Sequence, residues 1–239
     1  MGFRFPTLAA VGPPAMLGSM TVRALVAIAL ALSLAACGSA SVSSPPSGID
    51  ELTIPTPSPD PHDFVDGVDN PWLPLPPGRT WTYDVVDVHG GHELTVTVEP
   101  GPEVAGVATT ARVSTEPGAT TTDWFAQDAR GNVWWFGREG EWTAGEDGAE
   151  AGLAMPADPR VGDGYRMALQ EGVVEDVATV LSVRGSATVP AGTYDDLLAT
   201  RVTSDLGSTG STDQYWSRDL GLVEEQGAGR TLRLSEVSG

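Results

Sequence analysis

The chain has 239 residues and is strongly acidic, with 32 Asp and Glu against 13 Arg, no Lys, and a formal net charge of −19. Such a surface repels phosphates, which argues against binding to nucleic acid and against electrostatic attachment to an anionic membrane. A hydrophobic content of 41% together with 29 Gly and 19 Pro is typical of a turn-rich β domain.

The first recognisable element is an apolar run from Ala24 to Ala36, in which nothing is more polar than Ser33. These 13 residues are too few for a membrane-spanning helix, which needs roughly 20. Together with Arg23 just before it, the run is typical of a bacterial signal peptide. The sequence therefore predicts a signal peptide over residues 1–36, and Met16 or Met20 are alternative starts.

Cys37 follows this run directly and is the only cysteine of the chain. The residues before it, Leu34 to Ala36, give a pattern that resembles the bacterial lipobox. The resemblance implies that Cys37 becomes the acylated N-terminus after cleavage and carries palmitate-type chains. Two or more such chains hold a protein stably on the outer face of the cell membrane. The alternatives are a buried structural thiol or a catalytic nucleophile, which would need a partner base, and no His lies beside it.

Residues 37–61 are rich in Ser, Pro and small residues and have no apolar period. This composition predicts a flexible tether between the lipidated cysteine and a folded domain. The β domain is expected over residues 62–239.

Short apolar-polar alternations separated by turn signals predict about ten strands in this domain. Gly90–Gly91 and the "DARGN" segment at residues 128–132 predict two hairpin turns. A short helix is considered only at residues 191–198. The expected strands cover residues 80–88, 93–100, 104–115, 120–127, 133–137, 165–170, 175–183, 197–204, 212–216, 221–225 and 231–236.

The first of these strands shows which fold to expect. Trp81, Tyr83 and Val85 point to one face, and the residues between them point to the other. One apolar and one mixed face are typical of an antiparallel sheet with a solvated side. The prediction is an all-β fold made of a single strongly curved antiparallel sheet or open barrel, and the alternative is a two-sheet β-sandwich.

Four segments resemble a family of uncharacterised exported bacterial proteins of actinobacterial type, many of them lipoproteins. The segments are "VDNPWLPLPPGRTWTY" at 68–83, "TTDWFAQDARGNVWWFG" at 121–137, "MPADPRVGDGYRMALQEGVVED" at 155–176 and "VPAGTYDDLLATR" at 189–201. The similarity spans about residues 66–225. The resemblance implies a fold and an extracytoplasmic location, but no activity.

Aromatic residues cluster around the "DARGN" hairpin, and they allow two interpretations. One is cross-strand packing that stabilises the sheet. The other is an exposed platform for a sugar ring or an acyl chain, for which Trp124, Trp134 and Trp135 are the candidate ligand residues. Neighbours in a strand face opposite sides, so Trp134 and Trp135 cannot both belong to one platform.

Acidic residues are too abundant for their spacing to define a catalytic pair. Asp123, Asp128, Glu175 and Asp176 could converge as a glycosidase pair, which needs two carboxylates about 5 to 10 Å apart. The adjacent acids at 195 and 196 would point to opposite faces of a strand. No nucleotide-binding loop, hydrolase elbow or zinc-protease motif is present in the sequence.

No metal or other cofactor is expected. The acids of "DPHDFVDGVDN" at residues 60–70 lie three apart, which does not fit the spacing of an EF-hand loop. They are better explained as a solvated, turn-forming start of the domain. His89 and His92 are expected to lie exposed at a hairpin tip, since zinc needs three or four supported ligands.

These observations lead to three hypotheses. The first is a lipid-anchored, non-enzymatic binder of an apolar ligand, such as a lipid or a cell-wall precursor tail. The second is a surface interaction scaffold without a pocket. The third is a carboxylate-based hydrolase of envelope glycans. The membrane is the partner through Cys37, and protein partners are not indicated by the sequence.

Overall fold

The structure is a computed structural model that describes residues 60–204, 206 and 210–239. The predicted signal peptide, Cys37 and almost all of the tether lie outside the described residues and remain predictions. Within the described ranges, no helix has the length and apolar character needed to cross a membrane.

The domain is built almost entirely of strands. A one-turn 3-10 helix, Pro61–Asp63, comes first. The strands are β1 (Phe64–Val65), β2 (Thr80–Asp87), β3 (Gly90–Val104), β4 (Val107–Glu116), β5 (Ala119–Asp128), β6 (Val133–Arg138), β7 (Trp142–Thr143), β8 (Glu150–Met155), β9 (Gly164–Gln170), β10 (Val174–Val189), β11 (Gly192–Ser204), β12 (Ser211–Ser217), β13 (Gly221–Gly227) and β14 (Arg230–Ser238).

The described strands form one antiparallel sheet that closes on itself. Its order is β5-β4-β3-β2-β14-β13-β12-β11-β10-β9-β8-β6, and β6 also pairs with β5. The two-residue strands β1 and β7 pair with β5 and β6. The predicted single curved antiparallel sheet is confirmed, and the pairing of β5 with β6 makes it a closed barrel of twelve strands. The alternative of two sheets is not what the chain adopts.

Each predicted strand overlaps an observed one, but two local expectations are wrong. The helix considered at 191–198 is part of β11, which pairs with β10 from Val189 to Asp176. Long-range pairing with β10, rather than the local residue pattern, determines the secondary structure of this segment. The first hairpin turns at Val88–His89, because Gly90 and Gly91 already pair with β2.

The apolar face predicted for the first strand is turned toward the core. Trp81, Tyr83 and Val85 are buried on β2, while Asp84 and Val86 are exposed. This alternation follows from the two-residue period of a strand and places one face of β2 inside the barrel.

Residues 68–75, here called the plug, lie across one end of the barrel. On one side, Asn70 bonds to Gln127 at the end of β5 and to the carbonyl of Gly131 in the β5–β6 turn. On the other side, the Pro71 carbonyl accepts from Asp219 N at 2.7 Å, in the turn between β12 and β13. Those strands lie half-way around the sheet from β5 and β6, so the plug contacts turns from two separate parts of the barrel.

Candidate functional site

A cavity of about 130 Å³ lies between the plug and six adjacent strands of the barrel. The strands are β4, β3, β2, β14, β13 and β12, which are neighbours in the sheet. The lining residues are Leu73, Pro74, Leu75, Trp81, Tyr83, Leu94, Val96, Arg112, Ser114, Trp216, Gly221, Leu222, Glu225, Arg230 and Leu232. Most of these residues are apolar, but polar groups make up nearly half of the exposed lining, and the charged side chains come from β4, β13 and β14.

The aromatic residues of β2 line the cavity with their polar atoms already bonded. Trp81 Nε1 donates to the Leu220 carbonyl at 2.7 Å, and Tyr83 Oη donates to the Leu222 carbonyl at 3.0 Å. Burial raises the pKa of the Tyr83 phenol well above its usual range. Tyr83 is therefore neutral at physiological pH, and these two rings contribute apolar surface to the cavity.

Arg112 contributes a positive charge to the lining from β4. Its guanidinium lies 3.7 Å from the Asp123 carboxylate and 5.7 Å from the centre of the Phe125 ring. Its Nε is buried and has no hydrogen-bond partner among the described residues. Asp123 itself accepts a hydrogen bond from Arg138 Nε at 2.8 Å. The stronger bond of Asp123 is thus to Arg138.

Glu225 contributes a negative charge from β13 and is held by a chain of side-chain hydrogen bonds. Its Oε2 accepts from Gln214 Nε2 at 2.9 Å. Thr200 Oγ1 contacts the Gln214 side-chain oxygen at 3.5 Å and accepts from Trp216 Nε1 at 3.1 Å. Three neighbouring strands, β11, β12 and β13, are therefore linked next to the cavity by polar side chains.

A charged cluster joins three hairpins at the end of the barrel opposite the plug. Glu116 Oε2 lies 2.8 Å from both Arg230 Nη2 and His92 Nε2, and Arg230 Nη1 lies 3.8 Å from Asp87. The hydrogen bond from Arg230 and, to a smaller extent, the one from His92 lower the pKa of the Glu116 carboxyl. The expectation of two exposed histidines is right for His89 and wrong for His92, because Glu116 on β4 draws the imidazole against the sheet.

The three tryptophans proposed as a ligand face do not line this cavity. Trp134 and Trp135 are only 3% and 7% exposed, and Trp124 is half-buried. The Trp134 ring lies edge-on to Phe64, whereas Trp135 stacks on Phe125. The two neighbouring rings thus contact different parts of the core, and neither forms an exposed platform.

Of the four acids considered for catalysis, Asp123, Asp128 and Glu175 are used in structural hydrogen bonds, and Asp176 is half-buried on β10. Asp128 accepts from Arg130 N, from both the backbone and side-chain nitrogens of Asn132, and from Trp134 Nε1. Glu175 accepts from the Gly172 backbone at 3.0 Å in an exposed turn. Asp195 and Asp196 are exposed.

Potential metal ligands do not cluster in the described part of the chain. Residues 60–204, 206 and 210–239 contain no group of three or more His, Cys, Asp or Glu side chains able to hold a metal ion. At the start of the domain, Asp60 Oδ1 accepts from His62 N at 2.9 Å, as a turn-forming acid does.

Arg112 and Glu225, two of the charged residues that line the cavity, could not be predicted from the sequence. In "ARVSTE" the apolar residues alternate with Arg112 and Ser114, which predicts that these two face solvent. Instead they lie opposite Val98 and Val96 on β3 and line the cavity. Only the pairing of the two strands reveals this orientation.

No protein-family model and no curated protein matches the chain. Two solved structures are similar to it. A protein from Bacteroides fragilis with a YmcC-like fold, considered an exported protein, has a TM-score of 0.42 and 11% identity and covers 70% of this chain and 99% of its own. A protein from Parabacteroides distasonis considered a lipoprotein has a TM-score of 0.36 and 15% identity and covers 73% of this chain and 100% of its own. Likeness at this level supports no conclusion about ligand or activity.

Proposed function

We propose that this chain is an exported, lipid-anchored binding protein without enzymatic activity, whose barrel holds the apolar part of a small ligand. The observation that carries the proposal is the cavity of about 130 Å³ between the plug and six strands. Its lining combines apolar side chains with three charged residues and a serine, and small-molecule sites likewise join apolar walls to polar groups that orient the ligand.

The size of the cavity defines the ligand that it can hold. An apolar cavity of about 150 Å³ is known to stay dry and to accept benzene. The cavity between plug and strands is of this order. Its ligand is therefore one that inserts a single ring or a short aliphatic chain, rather than a whole lipid.

The lipid anchor is the second part of the proposal and depends on Cys37. An acylated cysteine at the mature N-terminus and a tether over residues 38–61 would keep the barrel near the outer face of the membrane. There it would meet ligands released from, or delivered to, the cell envelope.

Native mass spectrometry of residues 50–239, exported from a bacterial host, tests the binding function. The expected result is an added mass of a small ligand that disappears on denaturation, or uptake of hexan-1-ol at millimolar concentration by ligand-free protein. A protein that carries no added mass and takes up no hexan-1-ol would overturn the proposal.

A pair of variants on neighbouring strands controls for general damage to the fold. Val96→Phe places a ring into the cavity lining and is expected to abolish uptake. Val86→Phe adds the same bulk on the outer face of β2, where Val86 is 59% exposed, and is expected to leave uptake unchanged. Equal uptake by both variants would show that the ligand lies elsewhere.

A further inference from the structure

We propose that the ligand of this cavity carries a carboxylate and that Arg112 is the residue that binds it. This inference rests on the proposed function and names its ligand class. It starts from the hydrogen-bonding state of Arg112, because a guanidinium whose donors are not all used is a binding group for an anion.

Arg112 is the cation of the lining whose side chain makes no hydrogen bond with a described residue. Its Nε is buried without a partner among the described residues, and its contact with Asp123, at 3.7 Å, is longer than a hydrogen bond. Arg230, the other cation of the lining, is bonded to Glu116 at 2.8 Å. The terminal nitrogens of Arg112 also make no hydrogen bond with a described residue, so a ligand that bonds to them gains a charge-assisted hydrogen bond.

Asp123 makes only a long contact with Arg112, because its carboxylate is hydrogen-bonded to Arg138. Arg138 Nε donates to Asp123 Oδ1 at 2.8 Å, and the Asp123 side chain is 3% exposed. The Asp123 charge is therefore compensated from the side of β6. A carboxylate ligand can approach Arg112 without having to displace a bidentate ion pair.

Ser114 extends the anion site along the same face of β4. Residues two apart in a strand point to one side, so the Ser114 hydroxyl and the Arg112 guanidinium both line the cavity. They lie opposite Val96 and Val98, which are buried. A carboxylate bonded to Arg112 and Ser114 would thus place its apolar tail against Val96 and Leu94.

Glu225 limits how much negative charge a ligand can carry into the cavity. Its carboxylate lines the same cavity and accepts a hydrogen bond from Gln214, and Tyr83 feels the charges of both Arg112 and Glu225. A singly charged carboxylate can bind near Arg112 while keeping its distance from Glu225. A doubly charged phosphate would be attracted by Arg112 and repelled by Glu225 twice as strongly, but its desolvation costs more, because that cost rises with the square of the charge, and this favours the carboxylate.

The test compares three ligands that share one tail: hexanoate, hexan-1-ol and hexylamine, titrated into ligand-free protein by calorimetry. Hexanoate is expected to bind about tenfold more tightly than hexan-1-ol, because a charge-assisted hydrogen bond replaces a neutral one. Hexylamine is expected to bind weakest. Equal binding of all three would overturn the carboxylate inference and leave the proposed function standing. If none of them binds, both are wrong.

Two variants identify the residue responsible. Arg112→Met is expected to remove the preference for hexanoate and to keep the affinity for hexan-1-ol, since Asp123 retains its bond to Arg138. Glu225→Gln removes the competing charge and is expected to tighten hexanoate binding about threefold, with hexan-1-ol unchanged. A preference for hexanoate that survives Arg112→Met would overturn the role of Arg112, and one that does not respond to Glu225→Gln would overturn the role of Glu225.

Discussion

Asn70 donates its backbone N–H to the side-chain oxygen of Gln127 at 2.8 Å, and this bond fixes the plug to β5. The Asn70 amide also donates to the carbonyls of Gly131 and Pro156, and its oxygen accepts from the backbone of Trp72. One side chain, 2% exposed, therefore satisfies backbone groups of three separate segments. These bonds hold in place the plug residues that line the cavity, Leu73, Pro74 and Leu75.

Replacing Asn70 by Ala is expected to destabilise the domain by about 3 kcal/mol, since several buried backbone groups lose their partners at once. Denaturant unfolding measures the change in free energy. Asp66→Ala, at an exposed position two residues before the plug, is the control and is expected to cost less than about 0.5 kcal/mol. Similar costs for the two variants would contradict the role of Asn70 in holding the plug.

Gly152→Ala is expected to be among the most damaging single-methyl changes in the barrel. A Cβ at Gly152 would overlap the backbone carbonyl of Met167 on β9, and backbone atoms cannot move aside as a flexible side chain can. The expected cost is about 3 kcal/mol or more, through strain between β8 and β9. Gly164→Ala is the matched control on β9, because a Cβ there meets only Ala178 O at 4.0 Å. If the close approach of the two backbones is the cause, thermal unfolding will show a large loss of stability for Gly152→Ala and a small one for Gly164→Ala. Similar losses would instead indicate that these strands do not tolerate alanine in general.

Two ion pairs on different parts of the sheet should differ in their contribution to stability. Asp123 is 2% exposed and bonds to Arg138, whereas Arg201 and Asp213 form an exposed pair with contacts of 2.6 and 2.8 Å. Asp123→Asn is expected to cost about 3 kcal/mol because the partly buried Arg138 guanidinium loses its hydrogen-bonded counter-ion and keeps only the 3.8 Å contact with the exposed Glu141. Asp213→Asn is expected to cost less than about 1 kcal/mol. Equal losses in urea unfolding would mean that burial does not govern these pairs.

The strands could be predicted from the sequence because their signals are local. Alternation of apolar and polar residues marks a half-buried strand, and Gly or Asp marks the turns that bound it. Asp128 illustrates this: it occupies the first position of "DARGN" and bonds back to the turn that the motif predicts. β8 was missed because "EAGLAM" is short, has no alternation, and is buried on both faces from Ala151 to Met155.

The candidate site could not be predicted, because long-range pairing creates it. The plug sequence "VDNPWLPL" has no strand or helix period, and its position depends on bonds to Gln127 and Pro156, far along the chain. The direction of Arg112 depends on the register between β3 and β4. A one-residue shift of that register would turn Arg112 to the opposite face.

Cys37→Ser tests the predicted lipid anchor. If Cys37 is acylated, the variant loses its acyl chains and is expected either to appear in the medium or to remain unprocessed in the cell. Phase partitioning in detergent, followed by intact mass measurement, detects both outcomes. Ser33→Ala, within the apolar run of the signal peptide, is the control and is expected to process normally. If the intact mass shows that Cys37→Ser has lost its signal peptide and the variant still partitions into the detergent phase, the protein is not anchored through this residue.

The cluster around Glu116 predicts a loss of stability in acid. Its hydrogen bonds with Arg230 and His92 hold the pKa of the folded state below the ordinary value of 4.5, so the unfolded chain binds more protons as the pH falls through this range. The contribution of Glu116 is therefore present above about pH 4.5 and is lost below it. Glu116→Gln should lower the melting temperature at pH 7, and its difference from the wild type should shrink toward pH 3. Glu93→Gln, exposed on the neighbouring hairpin, controls for loss of one charge. Arg230, which bonds to Glu116, also lines the cavity. A difference in melting temperature that stays constant or widens in acid would show that Glu116 acts through packing rather than through its charge.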